Sequence, residues 1–251
     1  MMKKNALITG NSSGLGRGLS EVLLAHGYRV FGCSRRGCDL AGDIVDIRCD
    51  LSDMERIGEH LQRLLDGVET VQLVVLNAGV LGEIKNISET SLDELRRILD
   101  INLWPNKLIL DWLLESAIRI DQIVLMSSAA AVLGNKGWGG YALSKSALNM
   151  LGRLYAHEFQ ETHIASIAPG LIESSMMEYL CAEADSDEFP ALLRLRQARE
   201  EGVVLTPLAG AERILAALPR LQEFESGSYV DLRQILAPDE YQALIEAQNR
   251  A

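Results

Sequence analysis

The sequence predicts an α/β fold in which a parallel seven-stranded sheet is covered by helices on both faces. Short apolar runs alternate with longer amphipathic segments along the 251 residues, and this alternation is typical of parallel strands joined by helices. The runs are apolar throughout, as expected of strands buried on both faces. A hydrophobic content of 48% at this length is enough to bury one sizeable core. We therefore expect a single doubly wound domain.

Each element follows from a local pattern. The apolar runs predict strands at residues 5–9, 28–33, 44–49, 72–76, 122–126, 164–167 and 227–232. The amphipathic segments predict helices at residues 14–25, 52–65, 92–116, 141–160 and 209–218. The third helical segment is long enough for two helices, with a break expected near Asn102. Ser52 with Glu55 and Ser91 with Glu94 fit the capping-box pattern, which favours a helix start at each place.

The charge and the cysteines limit the classes of function. A net charge of −11 and the lack of a basic stripe argue against binding to nucleic acid. No apolar stretch approaches the roughly 20 residues that a membrane span needs, so we expect no membrane partner. The start Met-Met-Lys-Lys leads into a short apolar run, which is unlike a signal peptide. We expect a cytoplasmic protein with reduced thiols. The spacing of Cys33, Cys38 and Cys49 fits no zinc site, so no metal is expected.

A glycine-rich turn follows the first predicted strand and opens the first predicted helix, in LITGNSSGLGRG. Gly10 would let the chain leave the strand tightly, Gly14 would let the backbone approach a pyrophosphate, and Gly16 would let the helix pack close to the sheet. A helix that starts here would direct its free amides at an anion. The segment therefore predicts dinucleotide binding, with an ordinary strand-to-helix turn as the alternative.

The end of the second strand indicates which nicotinamide cofactor binds. An acid at this place usually holds the ribose hydroxyls of NAD, but the sequence here is GCSRRG. Ser34, Arg35 and Arg36 would suit a 2′-phosphate, so NADP(H) is favoured over NAD(H). The arginines could instead be solvated, or Arg17 could serve the phosphate. Asp50, at the end of the third strand, could accept from the adenine amino group or cap the following helix.

The domain is expected to have a cofactor-binding half and a catalytic half. No linker divides residues 1–251, so they are expected to form one domain, with the cofactor half at about residues 1–120 and the catalytic and substrate half at about 121–251. Residues 174–206 interrupt the alternation with the acidic stretch AEADSDEF. We interpret this segment as a helical insertion that covers the substrate, and a solvated helical hairpin is the alternative.

A tyrosine and a lysine lie one helical turn apart, at Tyr141 and Lys145, downstream of Ser127 and Ser128. A phenol is a poor base at neutral pH. Because Lys145 shares a helix face with Tyr141, its charge is expected to lower the pKa of the phenol. Tyr-x-x-x-Lys also occurs on many solvent-facing helices. The pair therefore indicates a catalytic role only in combination with the glycine-rich turn.

The motifs together resemble the short-chain dehydrogenase/reductase family, over nearly the whole chain. They appear in order as TGNSSGLG, Cys49-Asp50-Leu51, Asn77-Ala78-Gly79, Asn102, Ser128, Tyr141 with Lys145, and Pro169-Gly170. Two positions depart from the family pattern: Leu76, where a second asparagine is common, and Ser174, where a threonine usually contacts the nicotinamide carboxamide. The stretch before Tyr141 and the ending ESGSYVDLR resemble the branch that contains sepiapterin and benzil reductases.

The resemblance implies a Rossmann fold and a role for each matching residue. Tyr141 would exchange a proton with the substrate oxygen, Ser128 would hold that oxygen, Lys145 would grip the nicotinamide ribose, and Asn102 would hold a relay water or cap the next helix. The implied cofactor-binding residues are Thr9, Gly10, Asn11, Ser12, Ser13, Gly14, Leu15, Gly16, Ser34, Arg35, Arg36, Asp50, Leu51, Asn77, Ala78, Gly79, Tyr141, Lys145, Pro169, Gly170, Ile172 and Ser174.

The resulting expectation is an NADP(H)-dependent enzyme that reduces a small or medium ketone, aldehyde or diketone. Candidate substrate-lining residues are Leu133, Gly134, Trp138, Glu173, Met176, Met177 and Tyr179, although such a cluster could equally be plain core. An NADP-sensing regulator and an NAD-dependent alcohol dehydrogenase remain alternatives, and the short chain disfavours an epimerase or dehydratase. A homodimer or homotetramer is expected, through an apolar face at Leu108, Ile109, Trp112 and Leu113, unless that face is buried within the chain.

Overall fold

The computed structural model describes residues 3–182 and 188–249. Within these residues seven parallel strands form one sheet in the order β3-β2-β1-β4-β5-β6-β7. The strands are β1 (Asn5–Thr9), β2 (Arg29–Ser34), β3 (Ile44–Arg48), β4 (Thr70–Leu76), β5 (Arg119–Met126), β6 (His163–Ala168) and β7 (Ser228–Asp231). The predicted fold class, a doubly wound parallel sheet of seven strands, is confirmed.

Helices cover both faces of the sheet. They are α1 (Gly14–Ala25), α2 (Ile57–Leu64), α3 (Leu92–Asn102), α4 (Trp104–Glu115), α5 (Ala130–Leu133), α6 (Gly139–Tyr155), α7 (Ser175–Ala182), α8 (Pro190–Glu200), α9 (Pro207–Leu221), α10 (Leu232–Leu236) and α11 (Pro238–Asn249). Successive strand residues enter opposite cores: Leu7 shares a cluster with Leu148 of α6, and Ile8 shares one with Leu19 of α1. This alternation explains why most strand positions are apolar on both faces of the sheet.

The helical segment at residues 92–116 divides as predicted. Helix α3 ends at Asn102 and α4 begins at Trp104, with Pro105 in its first turn. Proline is well suited to the first turn of a helix because its missing N–H would have no partner there. The Ser91 hydroxyl accepts from Glu94 N at 3.2 Å, but the Glu94 carboxylate pairs with Lys85 at 2.6 Å. Only half of the predicted capping box is therefore formed.

The capping box predicted at Ser52 and Glu55 is wrong. The Ser52 hydroxyl and amide both donate to Asp50 Oδ1, at 2.8 and 3.0 Å, which is an Asx-type turn. A single 3₁₀ turn at Met54–Arg56 follows, and α2 starts only at Ile57. Because the serine bonds backwards to the preceding aspartate, it leaves no oxygen directed at the helix amides.

The predicted insertion at residues 174–206 contains two helices, α7 and α8. Leu180 of α7 and Leu192 of α8 are buried in a small cluster with Trp138 and Phe189. Most of the acidic stretch AEADSDEF lies outside the described residues, which resume at residue 188. The described part of the segment therefore packs on the catalytic half through apolar side chains.

Several element bounds differ from the predictions. Strands β4 and β5 begin two and three residues earlier than predicted, α6 begins at Gly139 and stops at Tyr155, and α9 runs from Pro207 to Leu221. Helices α5, α10 and α11 were not predicted. Helix α10 is too short for a periodic pattern, although Asp231 and Gln234 form a capping box at its start whose spacing could have indicated it.

The described residues contain no helix that is both long enough and apolar enough to cross a membrane. Among the same residues, no group of three or more histidine, cysteine, aspartate or glutamate side chains is placed to hold a metal ion. Cys33 and Cys49 are buried, and Cys38 and Cys181 are half-buried.

The start of α9 yields a stability prediction. The Thr206 hydroxyl accepts from Ala209 N at 3.2 Å and so caps the helix. Thr206→Ala should lower the free energy of unfolding by about 1 kcal/mol, because the freed amide loses its acceptor. Thr206→Ser keeps the hydroxyl and should remain close to the wild type. Urea denaturation of the three proteins measures the difference, and equal losses in both variants would show that the cap contributes nothing.

Candidate active site

A cavity of about 570 Å³ lies at the carboxyl edge of the sheet, beyond the ends of β1, β2, β4, β5 and β6. Most of the predicted site residues line it: Gly10, Ser12, Ser13, Gly14, Leu15, Gly16, Ser34, Arg35, Arg36, Asp50, Leu51, Asn77, Ala78, Gly79, Ser128, Tyr141, Lys145, Pro169, Gly170, Ile172 and Ser174. Thr9, Asn11 and Asn102 do not line it and are fully buried. Predicted residues that are up to 164 positions apart in the sequence therefore meet at one place.

The glycine-rich turn has the close backbone packing that a dinucleotide site requires. Gly10 has a φ of +72° and Gly14 a φ of +51°, a region that favours glycine. A Cβ at Gly16 would lie 2.2 Å from the Gly10 carbonyl oxygen, so no other residue fits there without a shift. Ser13 precedes α1 but makes no side-chain cap to it. The first amides of α1 thus remain available to an anion, and the turn fits a bound pyrophosphate.

Thr9 and Asn77 hold the turn against β4. The Thr9 hydroxyl accepts from the amides of Asn77 and Ala78, at 2.9 and 3.1 Å. Asn77 Nδ2 donates to the Thr9 carbonyl at 3.0 Å. Both side chains are therefore engaged in the architecture of the cavity wall, and Asn77 also faces the cavity.

The arginines lie at the edge of the cavity. Arg36 donates to the Ser13 hydroxyl at 2.8 Å, and Arg17 forms an ion pair with Asp39. Arg35 lines the cavity and is exposed. Arg35 and Arg36 therefore lie in the cavity wall where the predicted 2′-phosphate would bind, whereas Arg17 does not line the cavity.

Asp50 bonds to its near neighbour Ser52. Its carboxylate accepts from the Ser52 amide and hydroxyl, which holds the pKa of Asp50 below its usual value. The alternative that Asp50 caps the next helix is wrong, because α2 begins at Ile57. Asp50 also lines the cavity. Its contact with the adenine amino group therefore stays a prediction.

The Ser128 side chain lies close enough to the Tyr141 hydroxyl to influence the pKa of the phenol. Ser128 Oγ accepts from Ala130 N at 3.1 Å, which fixes its position at the end of β5. Burial raises the pKa of the Tyr141 phenol above its usual value, and the nearby Ser128 hydroxyl offsets part of that effect. The hydroxyl of the neighbouring Ser127 is buried without a hydrogen-bond partner among the described residues. The geometry thus favours Ser128 over Ser127 as the partner of Tyr141.

Lys145 is buried beside Tyr141, with its ammonium 5.7 Å from the centre of the phenol ring. Its Nζ donates to the Met126 carbonyl at 2.7 Å. Burial lowers the pKa of Lys145 to about 8. The expectation that the pKa of Tyr141 lies below its usual value is wrong here, because the effect of burial dominates and raises that pKa. A Cβ at Gly79 would lie 3.4 Å from Lys145 Nζ and 3.1 Å from Asn102 Oδ1, so both groups lie behind this glycine.

Asn102 connects three segments from its buried position. Its Oδ1 accepts from Val80 N at 2.7 Å, and its Nδ2 donates to Val80 O at 2.8 Å and to Ser144 Oγ at 2.9 Å. Its carbonyl accepts from Asn106 at 2.8 Å. Helix α4 has no side-chain cap at its start. The alternative that Asn102 caps this helix is therefore wrong, because its side-chain oxygen and nitrogen are directed at Val80 and at Ser144 of α6.

Ser174 combines two roles in the structure. Its hydroxyl lines the cavity and accepts from Met177 N at 3.1 Å, in the first turn of α7. The helix that covers this end of the cavity is thus tied to the residue predicted to meet the carboxamide.

The substrate end of the cavity is apolar. Of the seven candidate lining residues, Trp138, Met176 and Met177 line the cavity, and the other four do not. The Tyr179 hydroxyl instead accepts from Ile84 N, and Glu173 pairs with Arg199. The sequence analysis missed several residues that line the cavity, among them Val80, Leu180 and Leu195. Leu180 follows Met176 by one helical turn, which could have indicated it; nothing local marks Val80 or Leu195.

A family model described as short chain dehydrogenase matches residues 4–185. The chain belongs to the short-chain dehydrogenase family. It is 27% identical over 242 residues to a benzil reductase ((S)-benzoin forming) from Bacillus subtilis (strain 168), covering 92% of this chain and 98% of that one. It is also 27% identical over 240 residues to a 3-oxoacyl-acyl-carrier-protein reductase from Salmonella typhimurium, covering 90% and 92%. The similarity to benzil reductases agrees with the branch indicated by the sequence.

Solved structures support the fold of this short-chain dehydrogenase. The crystal structure of the KRED1-Pglu enzyme superposes with a TM-score of 0.78 at 24% identity, over 91% of this chain and the whole of that one. Members of the family are oxidoreductases that bind a nicotinamide cofactor and act on small molecules. The protein is accordingly an enzyme of this class, and the fit of the glycine-rich turn to a pyrophosphate is consistent with it.

Burial of Lys145 yields a pH prediction for this short-chain dehydrogenase. The pKa of Lys145 is about 8 in the folded protein. Below pH 8 the side chain is therefore charged in both the folded and the unfolded protein, and burial of this charge lowers the free energy of unfolding by its full amount. As the pH rises from 8 toward the unfolded pKa near 10.4, folding releases the proton and that cost falls. The difference in free energy of unfolding between Lys145→Met and wild type should therefore favour the variant most below pH 8. Above pH 8 this difference should shrink by up to about 1.4 kcal/mol per pH unit.

Urea denaturation at pH 7, 8, 9 and 10 measures this trend. Lys136→Met removes an exposed lysine that pairs with Glu188 and controls for the loss of one positive charge. A difference between Lys145→Met and wild type that stays constant over this pH range would contradict the lowered pKa.

Proposed function

We propose that this enzyme uses NADPH to reduce a small or medium apolar carbonyl compound, a ketone, aldehyde or diketone, to an alcohol. One observation carries the proposal: the Ser128–Tyr141 pair and Lys145 line the same cavity as the glycine-rich turn and Arg35. A reductase needs this combination, because hydride and proton must reach the two ends of one carbonyl group.

The protein's own groups would act on the carbonyl oxygen. Tyr141 would donate its proton to that oxygen as negative charge develops there, and Ser128 would hold the same oxygen by a hydrogen bond. The raised pKa of Tyr141 keeps the phenol protonated at neutral pH, which is the state that a proton donor requires. A bound NADPH would supply the hydride.

Lys145 would stabilise the phenolate that remains after transfer. Its ammonium lies on the same helix one turn away, and a pKa of about 8 leaves it largely protonated at pH 7. In a buried site a cation at this distance is only weakly screened. Asn102, tied to Ser144 between these two residues, would keep α6 in register with the cavity wall and is proposed as part of the same catalytic group.

The arginines that follow β2 support NADPH rather than NADH. Arg35 and Arg36 line the cavity at the end of this strand, and guanidinium groups match phosphate geometry well. The end of β2 carries Ser34 in place of the acid that would hold the ribose hydroxyls of NAD. This pattern favours a cofactor with a 2′-phosphate.

The lining of the substrate end supports an uncharged, apolar substrate. Val80, Trp138, Met176, Leu180 and Leu195 offer no charge that would bind an anionic group. Methionine side chains adapt to varied apolar shapes, including aromatic rings. The benzil reductase among the relatives acts on a compound of this kind by its name, whereas the acyl-carrier-protein reductase acts on a protein-bound acyl group.

We also propose a homo-oligomer, a homodimer or homotetramer, formed through α4 and α6. Ile109 and Leu113, two residues of the predicted interface, are buried within the chain. The exposed apolar side chains of these adjacent helices are instead Trp104, Leu114, Leu143, Met150 and Leu154. Such a patch suits a second copy of the chain, and enzymes of this family are usually oligomeric.

Loss of the Tyr141 hydroxyl tests the proposed reaction. Wild-type protein should oxidise NADPH, followed at 340 nm, with aryl ketones or diketones such as benzil. Tyr141→Phe should lower turnover by at least about 10²-fold, because the proton donor is removed, while NADPH binding stays within about twofold. Tyr155→Phe, on the same helix but bonded to Asp111, should keep wild-type turnover. NADPH binding by wild type without reduction of any carbonyl in the panel would favour a sensor over an enzyme acting on such compounds.

Arg35 gives a separate test of cofactor choice. Arg35→Ala should weaken NADPH binding by about tenfold, the effect of one charge-assisted contact to phosphate, and should leave NADH binding nearly unchanged. Arg29→Ala, at the opposite end of β2, provides the matched control. Fluorescence titration measures both cofactors. A wild-type preference for NADH, or equal losses for the two cofactors, would contradict the assignment of Arg35.

A further inference from the structure

A buried side-chain bridge crosses β2 beneath the arginine-bearing loop. Asn11 follows β1, and its Nδ2 donates to Asp46 Oδ1 on β3 at 2.7 Å. The side chain passes directly over Gly32 of β2, where a Cβ would lie 1.9 Å from Asn11 Nδ2. Gly32 and Asp46 are partners in the β2–β3 register. The bridge therefore requires three residues on three strands or strand ends, and glycine is the only residue at position 32 that leaves it room.

The second oxygen of Asp46 holds the loop itself. Oδ2 accepts from Cys38 N at 2.9 Å, and a Cβ at Gly37, where φ is +80°, would lie 3.2 Å from this oxygen. At the near end of the loop, Gly37 N donates to Ser34 Oγ at 3.1 Å. The loop that carries Arg35 and Arg36 is thus fixed at consecutive amides, one of them by Asp46.

A carboxylate at this place is unfavourable for phosphate binding, because the two negative groups repel each other. Asp46 is half-buried, and its negative charge lies beneath a loop whose arginines are proposed to receive a second negative group. Like charges at short range repel. The cost is offset if the carboxylate determines the position of the loop, because an ordered loop loses less conformational entropy when it binds a ligand.

We propose that Asp46 is a positioning residue for cofactor selection: it holds the Arg35–Arg36 loop against the glycine-rich turn and so fixes the two guanidinium groups where a 2′-phosphate binds. The proposal rests on the proposed preference for NADPH. Asp46 does not line the cavity, so it acts only through Cys38 N and Asn11. The glycine-rich turn and the arginine loop then form one preorganised unit.

The bridge itself provides a conservative rescue variant. Asn11 Oδ1 is buried and has no hydrogen-bond partner within the described part of the chain. In Asp46→Asn, one new amide atom can still accept from Cys38 N, and the other can donate to Asn11 Oδ1 if the Asn11 amide rotates by half a turn. Asp46→Ala loses both hydrogen bonds. The two variants remove the same charge and differ in whether the loop stays anchored.

Calorimetric titration with adenosine 2′,5′-bisphosphate and with 5′-AMP tests the proposal without turnover. In wild type the bisphosphate should bind more tightly. Asp46→Ala should weaken bisphosphate binding by about tenfold and 5′-AMP binding by less than about twofold, because only the former depends on ordered arginines. Asp46→Asn should stay within about twofold of wild type for both probes. Asp43→Ala, which removes a carboxylate paired with Lys3 and Arg29 at the other end of β3, is the matched control.

Each contrary outcome has a distinct meaning. Wild type that does not prefer the bisphosphate contradicts the proposed use of NADPH, and the role of Asp46 falls with it. If wild type prefers the bisphosphate, equal losses for both probes in Asp46→Ala, no loss, or an Asp46→Asn as weak as Asp46→Ala overturns the role of Asp46 alone.

Hydrogen exchange on the wild-type protein keeps the proposal testable if Asp46→Ala does not fold. The Cys38 amide should exchange markedly more slowly than the amide of Ala41, an exposed residue further along the same connection. Equal exchange rates at the two amides would show that Asp46 does not hold the loop, and would overturn the proposal.

Discussion

The parallel direction of all seven strands is the constraint on which the site depends. In a parallel sheet every strand ends at the same edge, so the residues that follow β1, β2, β4, β5 and β6 must meet there whatever their separation in the sequence. The glycine-rich turn, the arginine loop, Asn77, Ser128 and Pro169 all occupy such positions. The crossover helices then bring Tyr141 and Lys145 to the same edge. A catalytic group assembled in this way needs little local structure of its own, which is why it can be encoded by short motifs.

Burial at this edge acts in opposite directions on the two titratable groups of α6. It disfavours the charged form of each group, so it raises the pKa of Tyr141 and lowers that of Lys145 to about 8. A protonated phenol, beside a lysine whose pKa of about 8 lies close to neutral pH, suits a site that gives a proton to a carbonyl oxygen. The same burial costs folding stability at neutral pH. The hydrogen bond from Lys145 to the Met126 carbonyl offsets part of that cost.

The sequence allowed the fold class, the cavity-lining motifs and most element positions to be predicted because each depends on local spacing. Gly10, Gly14 and Gly16 are constrained by the turn itself, and Lys145 follows Tyr141 at i+4. Other features depend on distant residues. Ser52 bonds backwards to Asp50 instead of capping a helix, Leu195 reaches the cavity only through the packing of α8, and the Asn11–Asp46 bridge crosses an intervening strand. The pKa of Tyr141 was mispredicted because spacing shows the lysine but not the burial around it.

A crystal structure of the protein with NADP and an inactive substrate analogue would show whether this cavity is a carbonyl reductase site. In that structure we expect the nicotinamide ring beside Tyr141 and Ser128, the pyrophosphate at the first amides of α1, and the 2′-phosphate in contact with Arg35 or Arg36. The carbonyl oxygen of the analogue should lie within hydrogen-bond distance of both catalytic hydroxyls. A nicotinamide ring remote from Tyr141, or an analogue bound with its carbonyl directed away from these hydroxyls, would contradict the assignment of this cavity as a carbonyl reductase site.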